Sequence, residues 1–176
     1  YTINPNGIIN VENHFNADED MQHVPRLGFK MTAEKDFTNL SWFGLGPHET
    51  YCDRKAGAYT SLFSGTVAEQ YYPYVVPQET GNKEDVRWFG LVDDSKTGIE
   101  FVADDKLSFS AQHFTPEDLT AAYHTCELKQ RDEVTILLDC KQRGVGNSSC
   151  GPEALEQYKL YPGDYQFNYS IVLLDK

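Results

Sequence analysis

The side chains with chemistry to offer are concentrated in two stretches. In the first, His48, Glu49, Tyr51, Asp53 and Arg54 follow one another closely enough to form a polar site. They come directly after Gly44, Gly46 and Pro47. The glycines permit positive φ or close backbone approach, and the proline fixes φ and removes a donor. The plainer reading is a strand-ending turn with an internal Asp53–Arg54 surface pair, since turn chemistry is common and site chemistry rare. The second stretch is residues 144–152, shaped by three glycines and a proline. Its backbone donors, Asn147, Ser148 and Ser149 could meet a sugar hydroxyl, although such a loop is more often a plain connection; Cys150 follows them.

Outside these stretches the catalytic signals are thin. No Gly-x-Ser-x-Gly, phosphate-binding glycine loop or His-Glu-x-x-His occurs. The histidines (His14, His23, His48, His113, His124) are scattered, and any two could serve as acid and base only if the fold brought them together. Paired carboxylates for glycoside hydrolysis need a separation that 27 acids in a linear sequence do not reveal. Cys52, Cys126, Cys140 and Cys150 form no Cys-x-x-Cys, which argues against zinc, and no metal site is expected in this chain.

Composition narrows the classes further. With 176 residues the chain fits one domain and can bury roughly 70% of its unfolded surface, so it needs no disulfide to fold. Four free thiols fit a reducing compartment. The net charge of −12, without a Lys/Arg run, argues against nucleic acid and anionic membranes. The 11 tyrosines and 10 phenylalanines favour strands and suit sugar-facing surfaces. The sequence opens in mid-pattern at Tyr1 without a Met, as a piece cut from a longer protein would. Three glycosylation sequons, at Asn39, Asn147 and Asn168, are short enough to arise by chance.

The elements that must position these residues are almost all strands. Alternating apolar residues predict strands near residues 1–3, 7–15, 25–31, 37–45, 86–92, 99–103, 107–111, 133–141 and 163–174. Residues 56–70, rich in small and polar side chains, read as a long loop. The prolines at 73 and 77 make residues 71–77 an edge or an extended crossing segment. One short helix is expected, with Thr115 as N-cap, Pro116 at the first position and acids in the first turn. The expected class is all-β, an antiparallel sandwich with at most one short helix.

Three stretches in order carry a resemblance. Residues 42–54 are similar to W-x-G-x-G-P-x-E-x-Y-x-D-R. Residues 72–81 are similar to P-Y-x-x-P-x-E-x-G, and residues 139–146 to D-x-x-x-x-G-[IV]-G. Together they resemble the C-terminal small-chain domain of family 2, LacZ-like β-galactosidases along almost the whole chain. The resemblance implies a β-supersandwich of the galactose mutarotase type. It implies a parent enzyme that hydrolyses terminal β-galactosides by a retaining, two-glutamate mechanism. The glutamates and the catalytic Mg²⁺ would lie in a separate TIM barrel, so this chain would carry no catalytic residue, bind no cofactor and be inactive alone. Its partners would be the parent's barrel and β-sandwich domains and the galactoside, in a homo-oligomeric parent. The compartment stays open between the cytoplasm and periplasm of a bacterium.

Within the resemblance, residues 144–152 match a loop bordering the active-site pocket. Many members carry G-G-D-x-S-W there; this chain has Asn147, Ser148, Ser149 and Cys150, one residue shorter, with Cys150 in place of a sugar-stacking Trp. Gly44, Gly46, Pro47, Glu49, Asp53 and Arg54 match family positions with an architectural role, satisfying loop amides. Two other readings are a mutarotase-like aldose epimerase using a His pair and an acid, with His48, His113 and His124 as the candidates, and a carbohydrate-binding module using exposed Tyr and Trp.

Overall fold

The computed structural model describes residues 1–18, 20, 24–146 and 151–175. Nine antiparallel strands dominate it: β1 Thr2–Ile3, β2 Ile9–Asn16, β3 Arg26–Ala33, β4 Asn39–Gly46, β5 Tyr59–Thr66, β6 Lys83–Val92, β7 Gly98–Gln112, β8 Val134–Gln142 and β9 Asp164–Leu174. The helix, α1 Pro116–Ala121, starts as expected. Thr115 accepts from the Asp118 N–H, and the Asp118 side chain accepts from the Thr115 N–H. Three single 3-10 turns complete the described elements, at Ala68–Gln70, Thr125–Glu127 and Glu156–Tyr158. No described helix is long and apolar enough to cross a membrane.

The strands run β1-β2-β9-β7-β6-β4-β5, with β8 on β7 and β3 on β8. β7 is long enough to serve two neighbours: residues 98–103 pair with β9 and residues 108–112 with β8. The sheet divides there, and β3 with β8 lies over β2 with β9. Phe29 of β3 meets Phe15 at 5.6 Å and Tyr169 at 6.3 Å between ring centroids. The two layers are thus joined through β7 as one hydrogen-bonded sheet. Between them Phe89 stacks on Phe109 (3.9 Å) and Phe101 (4.8 Å), all three fully buried. Each such ring removes on the order of 150–250 Å² from water, so this stack dominates the core.

Two expectations are corrected. Residues 56–70 are not a long loop, because they contain β5, an edge strand that takes its register from β4. Its small polar residues suit an exposed edge, and Phe63, stacked on Trp42 at 5.3 Å, is the ring that seats it. Residues 99–103 and 107–111 are one strand. Asp104, Asp105 and Lys106 stay exposed in its middle, opposite a register shift in β6. Asp85, in the left-handed region at φ 54°, forms that irregularity and meets Lys55 at 3.1 Å and Lys106 at 3.6 Å.

Candidate functional site

Residues 42–54 leave β4 at a point where nothing larger than glycine fits. A Cβ on Gly44 would stand 2.6 Å from Val86 Cγ2, and one on Gly46 2.8 Å from the Phe63 ring. Neither glycine has a positive φ; both serve close approach, and the Gly46–Pro47 bond is cis. The chain then turns back, with Tyr51 buried and bonded to Arg54 backbone to backbone in both directions. The turn aims Glu49 and Asp53 at different targets.

Glu49 collects donors from residues 72–81. Its carboxylate accepts from the Gly81 N–H (2.7 Å), Thr80 Oγ1 (3.1 Å) and the Tyr74 hydroxyl, and from Arg54 at 2.5 Å. Asp53 reaches the other way, to residues 139–146. It accepts from the Val145 N–H at 3.1 Å and the Gly146 N–H at 2.8 Å. The expected Asp53–Arg54 surface pair is therefore replaced, because Arg54 turns to Glu49 and Asp53 finds two amides that need an acceptor. Charged acceptors strengthen such bonds roughly twofold over neutral ones. Gly146 sits at φ 58°, where a side chain would be strained, and its N–H is aimed at Asp53.

A second junction ties the same stretches to β3. Arg26 Nη2 donates to Asp139 Oδ2 at 2.7 Å, Nε to the same carboxylate at 3.1 Å, and Nη1 to Glu79 at 3.1 Å. Asp139 is 1% exposed. Gly28 makes the approach possible, since a Cβ there would stand 2.3 Å from Asp139 Oδ1. Burial pushes the Asp139 carboxyl up to about 6 and raises Glu79 as well, both against the pull of Arg26. Burial also opposes the Arg26 charge, yet Asp139 and Glu79 outweigh it and its pKa rises.

Lys83 is a polar group the sequence did not flag. It is 2% exposed; its ammonium donates to the Gly81 carbonyl at 3.3 Å and lies 5.2 Å from the Trp42 ring centroid. Burial lowers its pKa from 10.5 to about 8, against the pull of Glu49. Between these values the unfolded chain holds a proton that the folded chain has released, so stability rises with pH through that window. From pH 7 to 10 the Lys83 contribution should improve by about 2 kcal/mol. Urea titrations at each pH should show Lys83→Met lacking that rise; equal pH slopes in both proteins would refute the burial cost.

Asn147, Ser148, Ser149 and Cys150 lie outside the described residues, as does His23; the loop is described by its stems. The Gly144 N–H donates to the Tyr158 carbonyl at 2.7 Å, Asp53 grips residues 145 and 146, and Arg143 pairs with Glu153 across the base. His48 is exposed beside Pro47. His113 is buried at the end of β7, and its backbone carbonyl accepts from the Arg131 N–H. His124 is exposed and meets Glu127 at 3.1 Å. Among the described residues no ion pair or hydrogen bond joins two histidines. Trp42 is buried, its indole N–H bonded to the Leu45 carbonyl at 3.0 Å, and Trp88 is half-buried. The expectation of exposed tryptophans is corrected for Trp42, which packs in the core, while Trp88 of β6 stands opposite Phe43 of β4. Among the described residues no group of three or more His, Cys, Asp or Glu is gathered to hold a metal ion.

Comparison with known proteins accounts for the convergence of these stretches. Residues 1–173 match the family model for the beta galactosidase small chain. The chain is 37% identical over 162 residues to a beta-galactosidase of Priestia megaterium, an overlap covering 92% of this chain and 16% of that protein. It is 32% identical over 174 residues to one from Streptococcus thermophilus, covering 97% and 17% respectively. A beta-galactosidase of Staphylococcus xylosus is 30% identical over 169 residues, again 17% of its length. The chain spans about a sixth of the length of the curated relatives it matches.

Proposed function

The chain belongs to the β-galactosidase small-chain family, and on that premise we propose that it is the non-catalytic small-chain domain of a β-galactosidase. In this reading its single domain supports the parent's architecture and borders the galactoside pocket with residues 144–152. The observation that carries it is the grip of Asp53 on the Val145 and Gly146 amides. That grip joins the first and third motif stretches at the stem of the loop, and Glu49 joins the first to the second.

The division of labour follows from the parts. The parent's two glutamates would perform the retaining hydrolysis and its Mg²⁺ would sit with them in the barrel, outside this chain. This chain's share is positioning: Asp53 holds the stem at Val145 and Gly146, and the Arg143–Glu153 pair closes the base from which residues 147–150 depart. Cys150, in place of a Trp, removes a stacking surface on the order of 1 kcal/mol beyond area burial. Acceptor sugars should therefore contribute less to affinity here than in relatives with the Trp.

The test is made in the intact parent. Residues 147–150 are replaced by a Gly-Gly-Ser-Gly linker, and galactoside turnover is followed against concentration. The expected result is KM raised about tenfold, the equivalent of about 1.4 kcal/mol, with an unchanged melting temperature. An unchanged KM would show that the loop does not border the pocket.

A further inference from the structure

Residues 71–77 cross the surface between the 3-10 turn Ala68–Gln70 and β6, outside the sheet. Their backbone is pinned. The Tyr72 N–H donates to Thr80 Oγ1 at 3.0 Å, Thr125 Oγ1 donates to the Tyr74 carbonyl at 3.3 Å, and the Tyr74 hydroxyl donates to Glu49. Pro73 and Pro77 stiffen the segment further. Yet Val75 is 91% exposed and Val76 56%, and Tyr123, two residues before Thr125, is 78% exposed. Single exposed apolar residues are unremarkable, whereas a contiguous apolar feature on an ordered frame marks an interaction surface.

We infer that Val75 and Val76 form a docking ridge that seats in an apolar socket on the remainder of the same polypeptide. This rests on the reading above, and two observations choose that occupant over a second copy or an unrelated protein. Most of the length of each relative lies outside the region this chain matches. The ridge also shares its frame with the loop stem: Glu49 holds Tyr74 and Arg54, and Asp53, adjacent to Arg54, holds residues 145 and 146. One turn thus fixes the ridge and the loop stem in a single rigid frame. β-Branched side chains between two prolines suit docking because they lose little rotamer and backbone freedom on being covered.

Carbene labelling of unmodified protein tests this without a variant. In the intact parent, labelling at Val75 and Val76 should fall about fivefold or more below that in the isolated chain, as in the water-excluded centre of an interface. Equal labelling in both would overturn the proposal. In a second arm, Val75→Asp with Val76→Asp in the intact parent should speed tryptic release of this domain about tenfold, while the isolated chain carrying both substitutions melts as the unmodified chain does. Unchanged release would also overturn it. Protection at Val75 in a parent that hydrolyses no galactoside would sustain the docking ridge and sink the galactosidase reading instead.

Discussion

Replacing Arg26 with alanine is expected to lower the unfolding free energy by about 3–5 kcal/mol at pH 7, the range for stranding a buried charge. The bonds to Asp139 and Glu79 disappear at once, and Asp139 is left buried beside Glu79 and Glu84 without its cation. For a chain of this length the melting temperature should fall by about 10 °C. The pH dependence separates this cause from lost packing. Asp139 already holds its proton up to about 6 in the fold, against 3.8 ordinarily, so its folded pKa is raised. For a raised carboxylate, stability declines as pH climbs from the unfolded to the folded value, because the unfolded chain releases its proton first. Without Arg26 the folded value climbs further, so the deficit of Arg26→Ala should shrink between pH 7 and pH 5. Arg26→Ala combined with Asp139→Asn should recover part of the loss at pH 7. Urea titrations of the single and double variants at both pH values decide it: a deficit of constant size would assign it to packing alone.

The second large effect is expected at Asp53. Asp53→Ala leaves the Val145 and Gly146 N–H groups without their acceptor, at a cost of about 1–3 kcal/mol in the isolated chain. Asp53→Asn should fall between, since one oxygen can still accept while its NH2 faces the other donor. The functional consequence should exceed the stability loss. In the intact parent, Asp53→Ala frees one stem of loop 144–152 and should raise KM for a galactoside about tenfold, with kcat changed less. Glu49→Gln, which disturbs residues 72–81 instead, should lower the melting temperature with a smaller change in KM. If both substitutions moved KM equally, the carboxylate at 53 would have no special connection to the loop.

Much of the fold was legible because strands buried on one face alternate. β2, β3 and β9 carry that alternation, and Thr115, Pro116 and Asp118 announced α1 by local hydrogen bonding alone. β5 was not legible, since an edge strand with Ser61, Ser64 and Gly65 has no apolar period and owes its conformation to β4. The continuity of β7 through Asp104, Asp105 and Lys106 was equally hidden: charged residues in mid-strand look like a turn unless the partner's register shift is known. At the site, the sequence brought forward Glu49, Asp53 and Arg54 but suggested the wrong pairing. Neighbours in sequence point to different targets at a turn, and the targets lie 32 and 93 residues away. The Arg26–Asp139 pair spans 113 residues, and buried Lys83 sits in an ordinary strand start; only the fold brings their partners together. A carboxylate inside an apolar strand, as at Asp139, is the one local signal that a buried cation is needed.

The most direct test of the central claim is galactoside hydrolysis measured on the isolated chain and on the intact parent that contains it, at equal molar concentration. Turnover is expected in the parent and none above the uncatalysed rate in the isolated chain. Turnover by the isolated chain, abolished by substitution of a carboxylate within it, would contradict the account.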